Sequence, residues 1–179
     1  MKNTVKEPAP KYNFISPKEY LEMERASDEK HEYFDGHIYL MSGASLKHAK
    51  VAMNLAVEIG SYLKEEKCKV LAETMRVATK TKDAYMYPDL LIYCDKEELE
   101  DDKFDTMLNP SVIFEILSPS TRSIDKGRKM MYYKEIPSLK EVEKEYHGKN
   151  IEFVSISVDV AKDHEKWQKF VTEKLSLLY

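Results

Sequence analysis

The sequence predicts an α/β fold, a mixed central sheet flanked by helices. Three observations predict it. The runs YPDLLIY and SVIFEILSPS are dense in Leu, Ile, Val, Phe and Tyr and are bounded by turn residues, which favours buried strands over helices. Asp35-Gly36 stands between two aromatic or β-branched runs, a strong hairpin signal. A long segment, about 46–66, repeats its apolar residues at helical spacing.

The elements follow in order. Residues 1–13 read as a loose polar arm. Ser16-Pro17-Lys18-Glu19 is a capping box that opens a short helix: Ser16 caps, Pro17 suits the first helical position and Glu19 reaches back. That helix ends near Ser27-Asp28. The hairpin pairs His31–Phe34 with His37–Met41. The loop Ser42–Ser45 leads into the longest helix, whose buried stripe is Ala52, Leu55, Ala56, Ile59, Tyr62 and Leu63; Lys47, Lys50, Glu58 and Lys64 occupy the solvated face. Strands are expected at about 69–79 and 87–94. The acidic stretch 95–105 reads as an exposed loop or short helix. Asn109-Pro110 resets the chain into a strand at 111–117, which Ser118-Pro119-Ser120-Thr121 breaks. A basic helix runs from about 124 to 134, and Ile136-Pro137 ends it. Ser138 and Glu141 form a second capping box. A strand at 151–158 and a terminal helix bearing Trp167, Phe170, Val171 and Leu175 complete the order.

The 179 residues suffice for one domain with a core, and 34% charged against 42% hydrophobic residues is a soluble, globular balance. The net charge of -4 argues against a generally basic nucleic-acid coat. It leaves room for a local Lys/Arg stripe acting over about one Debye length, ~8–10 Å. Cys68 and Cys94 form no CxxC pair, so two free, buried thiols in a reducing cytosol are expected. The opening MKNTVKEPAPKYN is neither signal peptide nor membrane span, and no segment approaches the ~18 apolar residues of a transmembrane helix. A cytoplasmic protein with no membrane partner is the expectation.

Asp89 and Glu115 carry the chemical signal. Each is an acid in or beside an apolar strand, costly to bury unless it is paired or binds a metal. On neighbouring strands they repel one another, and a divalent cation between them resolves the repulsion. That is the layout of a magnesium-dependent phosphodiesterase site. The plain alternative has Asp89 capping a turn after Pro88 and Glu115 in solvent.

Six words occur in order over residues 14–141: HEYFDGHIYLMSGAS, His48 early in the long helix, MRV at 75–77, YPDLLI, FEILSPST and IDKGRKMMYYKEIPSL. Together they resemble the Uma-type restriction-endonuclease family within the PD-(D/E)xK nuclease superfamily, which implies a restriction-endonuclease-like fold. The resemblance implies a metal-dependent DNA endonuclease using Mg2+ or Mn2+, with DNA as partner and a homodimer as an option. Carried over, Asp89 and Glu115 hold the metal with the Ile116 carbonyl as a third ligand. Leu117 occupies the position of the motif lysine, so the basic group is expected from the following helix: Lys129 first, with Lys126 and Arg128 as alternatives and as candidate substrate contacts. Glu32 is either a further catalytic acid, binding metal or orienting water, or an ion-pair partner of Lys30 or Arg25. His48 either touches DNA phosphate, supports the site, or is structural. Arg76 is a candidate phosphate contact, and Tyr133 a candidate for packing under Lys129. Because Leu117 departs from the motif, a nuclease-fold protein that binds nucleic acid without cutting is the rival reading.

After about Lys140-Glu141 the resemblance stops. Residues 136–179 instead resemble a fragment of a thioredoxin-like (redoxin) domain, with Tyr132–Glu135 where redox cysteines would lie, so no thiol–disulfide chemistry is expected. The 142–179 piece, about 38 residues, is too short to fold alone and is expected to dock on the 14–141 domain. A natural, an engineered and a mis-joined tail all remain open at this point.

Overall fold

A computed structural model describes residues 14–117, 124–139 and 155–157, the side chains of 124–126 and 155–157 excepted. Helix α1 (Pro17–Ala26) begins with the expected capping box: Ser16 accepts from the Glu19 N–H, and the Glu19 carboxylate accepts from Ser16. Strands β1 (His31–Phe34) and β2 (His37–Leu40) form the hairpin, with Asp35 at φ 45° and Gly36 at φ 82°. Two successive positive φ values are what a two-residue turn of this hand requires. Helix α2 (Leu46–Tyr62) follows, capped by Ser45. It stops four residues short of the expected end, and Tyr62 is exposed rather than part of the buried stripe.

The expected strand over 69–79 is two strands, β3 (Lys69–Ala72) and β4 (Arg76–Ala78), and β5 (Ala84–Met86) precedes β6 (Leu90–Tyr93). Strand β7 (Thr106–Met107) comes just after the acidic stretch 95–105, where no strand is expected from the sequence, and β8 (Val112–Leu117) follows. Three-residue strands are too short to leave a period-2 signature. The basic segment is a π-helical turn (Ile124–Lys129) running into α3 (Met130–Tyr133) instead of one α-helix, in a stretch that Gly127 weakens as an α-helix former. Strand β9 (Ser155–Ser157) falls inside the expected strand 151–158. The arm 1–13, the break at 118–121, Glu141, the rest of 151–158 and the terminal helix lie outside the described residues.

The mixed sheet is built as two sections. One has the order β2-β1-β5-β4-β7 and the other β3-β6-β8-β9. Each is antiparallel except at one parallel pair, β4 with β7 and β8 with β9. The chain crosses from one section to the other at Tyr87-Pro88-Asp89, between β5 and β6. Proline has no N–H for the ladder, so the pairing breaks there.

Three apolar clusters hold these layers. Leu55, Ile59 and Leu63 pack on Leu90, Ile92, Phe114 and Ile116, so α2 covers one face of the second section. Tyr133, Ile136 and Leu139 pack with Phe34, Met86, Leu91 and Met107. Tyr20 and Leu21 of α1 cover Tyr33, Ala78 and Tyr85.

One sequence expectation is overturned outright. Cys68 and Cys94 are joined by a disulfide rather than free. The register that sets Lys69 opposite Tyr93 continues to set Cys68 opposite Cys94, with Cα atoms 3.9 Å apart. A separation of 26 residues without a CxxC motif carries no hint of that pairing. The argument for a reducing compartment from free thiols falls with it. Among the described residues, no helix is long and apolar enough to cross a membrane.

Candidate functional site

The antiparallel register of β6 and β8 places Leu90 opposite Phe114. Continued one residue, it sets Asp89 opposite Glu115, and residues opposite one another in such a pair share a face of the sheet. Alternation along β8 accounts for the acid: Phe114 and Ile116 face α2, and Glu115 turns the other way. The Ile116 N–H donates to Asp89 Oδ2 at 2.5 Å, tying the two acidic positions together.

Lys129, 4% exposed, is the hub of the site. Its Nζ lies 2.8 Å from Glu32 Oε1 and 2.9 Å from Glu115 Oε1, and donates to the Tyr87 carbonyl at 3.3 Å. Leu117 is buried in the core, and the π-helical turn that follows supplies an ammonium to Glu115 through space. Tyr133, one turn beyond Lys129, sends its hydroxyl to Glu115 Oε1 at 2.5 Å. Glu32, buried on β1, also accepts from the Tyr87 N–H at 3.1 Å. Its ion pair is therefore with Lys129. Lys30 donates to the Glu73 carbonyl, and Arg25 binds Asp101 and Asp105. His48, in the first turn of α2, places Nε2 3.2 Å from Asp89 Oδ1.

Asp89, Glu115, Ile116, Lys129, His48 and Tyr87 line a cleft of about 420 Å³, closed on one side by Ser42–Ser45 and edged by Lys30 and Glu73. Glu32 stands behind Lys129. The carboxylates of Glu32, Glu73, Asp89 and Glu115 thus outnumber the ammonium groups of Lys30 and Lys129. An anionic cleft of this kind attracts a cation. Among the described residues, no group of three or more His, Cys, Asp or Glu side chains is gathered as a metal cage. Two carboxylates and a main-chain carbonyl nevertheless suit magnesium or manganese chemically, since Mg2+ typically takes one or two carboxylates and fills its octahedron with water and substrate oxygens.

Two expected substrate contacts do not reach the cleft. Arg76 is 3% exposed and turned inward, 2.7 Å from Asp105 Oδ2 and bonded to Thr106 and to the Tyr87 hydroxyl. It sits on β4 between β5 and β7, where a guanidinium must find partners inside the protein. Its phosphate-binding assignment is replaced by an anchoring one. Arg128 stacks 4.3 Å from the Tyr39 ring centroid and 5.4 Å from that of Phe34, over the hairpin. The Lys126 side chain lies outside the described residues.

Tyr87 is the residue that sequence reading passed over, although it immediately precedes the Pro-Asp pair. Its phenol donates to Glu24 Oε1 at 2.9 Å. Burial, with the Glu24 carboxylate adding to it against the opposing pull of Arg76, pushes the phenol well above its ordinary value, so it remains a neutral donor.

Two mixed sheet sections with helices on their faces make an α/β protein whose acids gather where the sections meet. The family model described as "Uma2: Putative restriction endonuclease" matches residues 17–142, and the chain belongs to that family. Two similar relatives come from Synechocystis sp. Uncharacterized protein slr1290 is 33% identical over 75% of this chain and 70% of its own length, and uncharacterized protein sll1609 is 30% identical over 71% and 72%. A solved structure titled a putative nuclease belonging to DUF820, from Anabaena variabilis, shares the fold at a TM-score of 0.54 and 20% identity, over 65% of this chain and 66% of that one.

Proposed function

We propose that the protein is a metal-dependent DNA endonuclease that hydrolyses phosphodiester bonds at the cleft between Asp89, Glu115 and Lys129. The observation that carries this reading is the placement of Asp89 and Glu115 on one face of the sheet, with Lys129 delivered to Glu115 from a separate element. Asp89, Glu115 and the Ile116 carbonyl would hold Mg2+ or Mn2+. The ion, when bound, supplies positive charge against the scissile phosphate.

The chain's own groups do the rest. Lys129, held by Glu32, Glu115 and the Tyr87 carbonyl, keeps its ammonium at the cleft, where its positive charge stabilises the charge that builds on a phosphate oxygen in the transition state. Glu32 orients that ammonium from behind. His48 holds the Asp89 carboxylate. The Tyr133 hydroxyl fixes Glu115. Water adds to phosphorus and loses a proton, and the leaving oxygen departs as an alcohol after gaining one.

The test is cleavage of supercoiled and linear DNA by the purified chain with Mg2+, with Mn2+ and with chelator. Cleavage should require the ion and fall at least about a hundredfold in Asp89→Asn and Glu115→Gln. Calorimetric titration of Mn2+ should lose its binding signal in the same two variants. Retention on DNA with no ion-dependent cleavage would replace this reading with that of a non-cutting binder.

A further inference from the structure

We propose that Tyr87 is a positioning residue, its phenol clamped by Glu24 and Arg76 so that its main chain holds Glu32 and Lys129 in register. The proposal rests on the nuclease reading for its effect on rate, though not for its effect on Lys129. The main chain of Tyr87 touches both partners of the central ion pair: its N–H donates to Glu32 Oε1 at 3.1 Å, and its carbonyl accepts from Lys129 Nζ at 3.3 Å. With the 2.8 Å contact between Lys129 and Glu32 this closes a triangle. Two residues on is Asp89, so a shift of this backbone moves three site groups at once.

That backbone is not held by a sheet ladder. It lies in the crossing between β5 and β6, and Pro88 offers no N–H there. Pro88 restricts residue 87 to extended conformations but does not set where the segment sits. The side chain does that. The ring is 7% exposed. Its hydroxyl donates to Glu24 Oε1 at 2.9 Å and accepts from Arg76 Nη1 at 3.2 Å. Both anchors are themselves pinned. Glu24, with its side chain 2% exposed, accepts from the His31 N–H and meets His31 Nδ1 at 3.0 Å. Arg76 is held by Asp105 and Thr106. A buried carboxylate and a buried guanidinium thus converge on one phenol, and the Lys30 ammonium at the edge of the cleft lies over its ring, 5.2 Å from the centroid. That is the arrangement of a support for other groups rather than of a group that meets substrate.

Tyr87→Phe removes the hydroxyl and leaves every main-chain contact available. Two readouts separate the proposal from a merely structural role. The first is the rate at which an amine-reactive ester labels Lys129, followed by mass spectrometry below the melting temperature. Labelling should rise several-fold in Tyr87→Phe while that of exposed lysines such as Lys47 and Lys64 stays constant. The second is kinetic: kcat for DNA cleavage should fall about ten- to a hundredfold, the effect of misplacing reacting groups by a fraction of an ångström or more. DNA affinity measured without turnover should stay unchanged. Glu24→Gln should reproduce both changes in part. Unchanged Lys129 labelling in a folded Tyr87→Phe protein overturns the proposal whether or not the wild type cuts DNA. Raised labelling with an unaltered kcat also overturns it, because the clamp would then position nothing that matters. A wild type that does not cleave at all removes the nuclease reading, and the labelling result still decides the clamp.

Discussion

Lys129 joins two carboxylates that would otherwise face one another with little water between them, and its removal has consequences beyond lost chemistry. In Lys129→Ala, buried Glu32 and half-buried Glu115 lose this ammonium. Removing one partner of a buried pair costs about 3–5 kcal/mol. The purified variant should melt well below the wild type, and Lys129→Met, which keeps most of the packing and removes the charge, should share the deficit. Cleavage should be lost in both. A wild-type melting temperature in Lys129→Met would mean that the lysine contributes packing rather than charge.

At the scale of elements, two joints make distinct predictions. The guanidinium of Arg25 on α1, followed by that of Arg76 on β4, holds the Asp105 carboxyl well below the usual carboxylate range. A depressed value means that the stabilisation is complete above the ordinary aspartate value of about 3.9 and disappears as the pH drops toward the folded value. Asp105→Asn should flatten the acid limb of a plot of Tm against pH below about 4, lowering Tm most at neutral pH and less at pH 2. The hairpin turn is the second joint. Gly36 sits at φ 82°, and a methyl group there would come 2.3 Å from the Phe14 ring. Gly36→Ala should cost more than about 1 kcal/mol by chemical denaturation, as expected where the native φ suits only glycine. The same substitution at Gly43, which has open space around it, should cost less.

For the whole molecule, the described part of the segment after residue 141 is one strand. Strand β9 pairs in parallel with β8, Ser155 opposite Glu115 and Ser157 opposite Leu117. It covers the edge of the strand that carries the central acid. Removing 142–179 should leave that edge unpaired, and an open edge invites association. The truncated chain should melt lower and aggregate at concentrations where the full chain is monodisperse by light scattering. A truncated chain with the same Tm and dispersity would show that β9 contributes nothing to the sheet.

Local chemistry determined much of this protein from its sequence alone. The capping box at Ser16, the Asp-Gly turn, the amphipathic face of α2 and the apolar runs around Asp89 and Glu115 are short-range signals, and the structure places each as read, apart from Tyr62 at the end of the α2 stripe. The pair of acids was legible for the same reason, since a carboxylate in a buried strand stands out against its neighbours. Tertiary structure decided the rest. Only the strand register makes Cys68 the partner of Cys94, and only the tertiary packing shows that Lys129 reaches Glu115 and Glu32 while Arg128 lies on Tyr39 and Arg76 turns inward. A lysine on a basic helix has the same local pattern whether its ammonium meets solvent, an acid or a ring. Which of these it meets depends on contacts between residues far apart in the chain, and those exist only once the two sheet sections and their helices have come together.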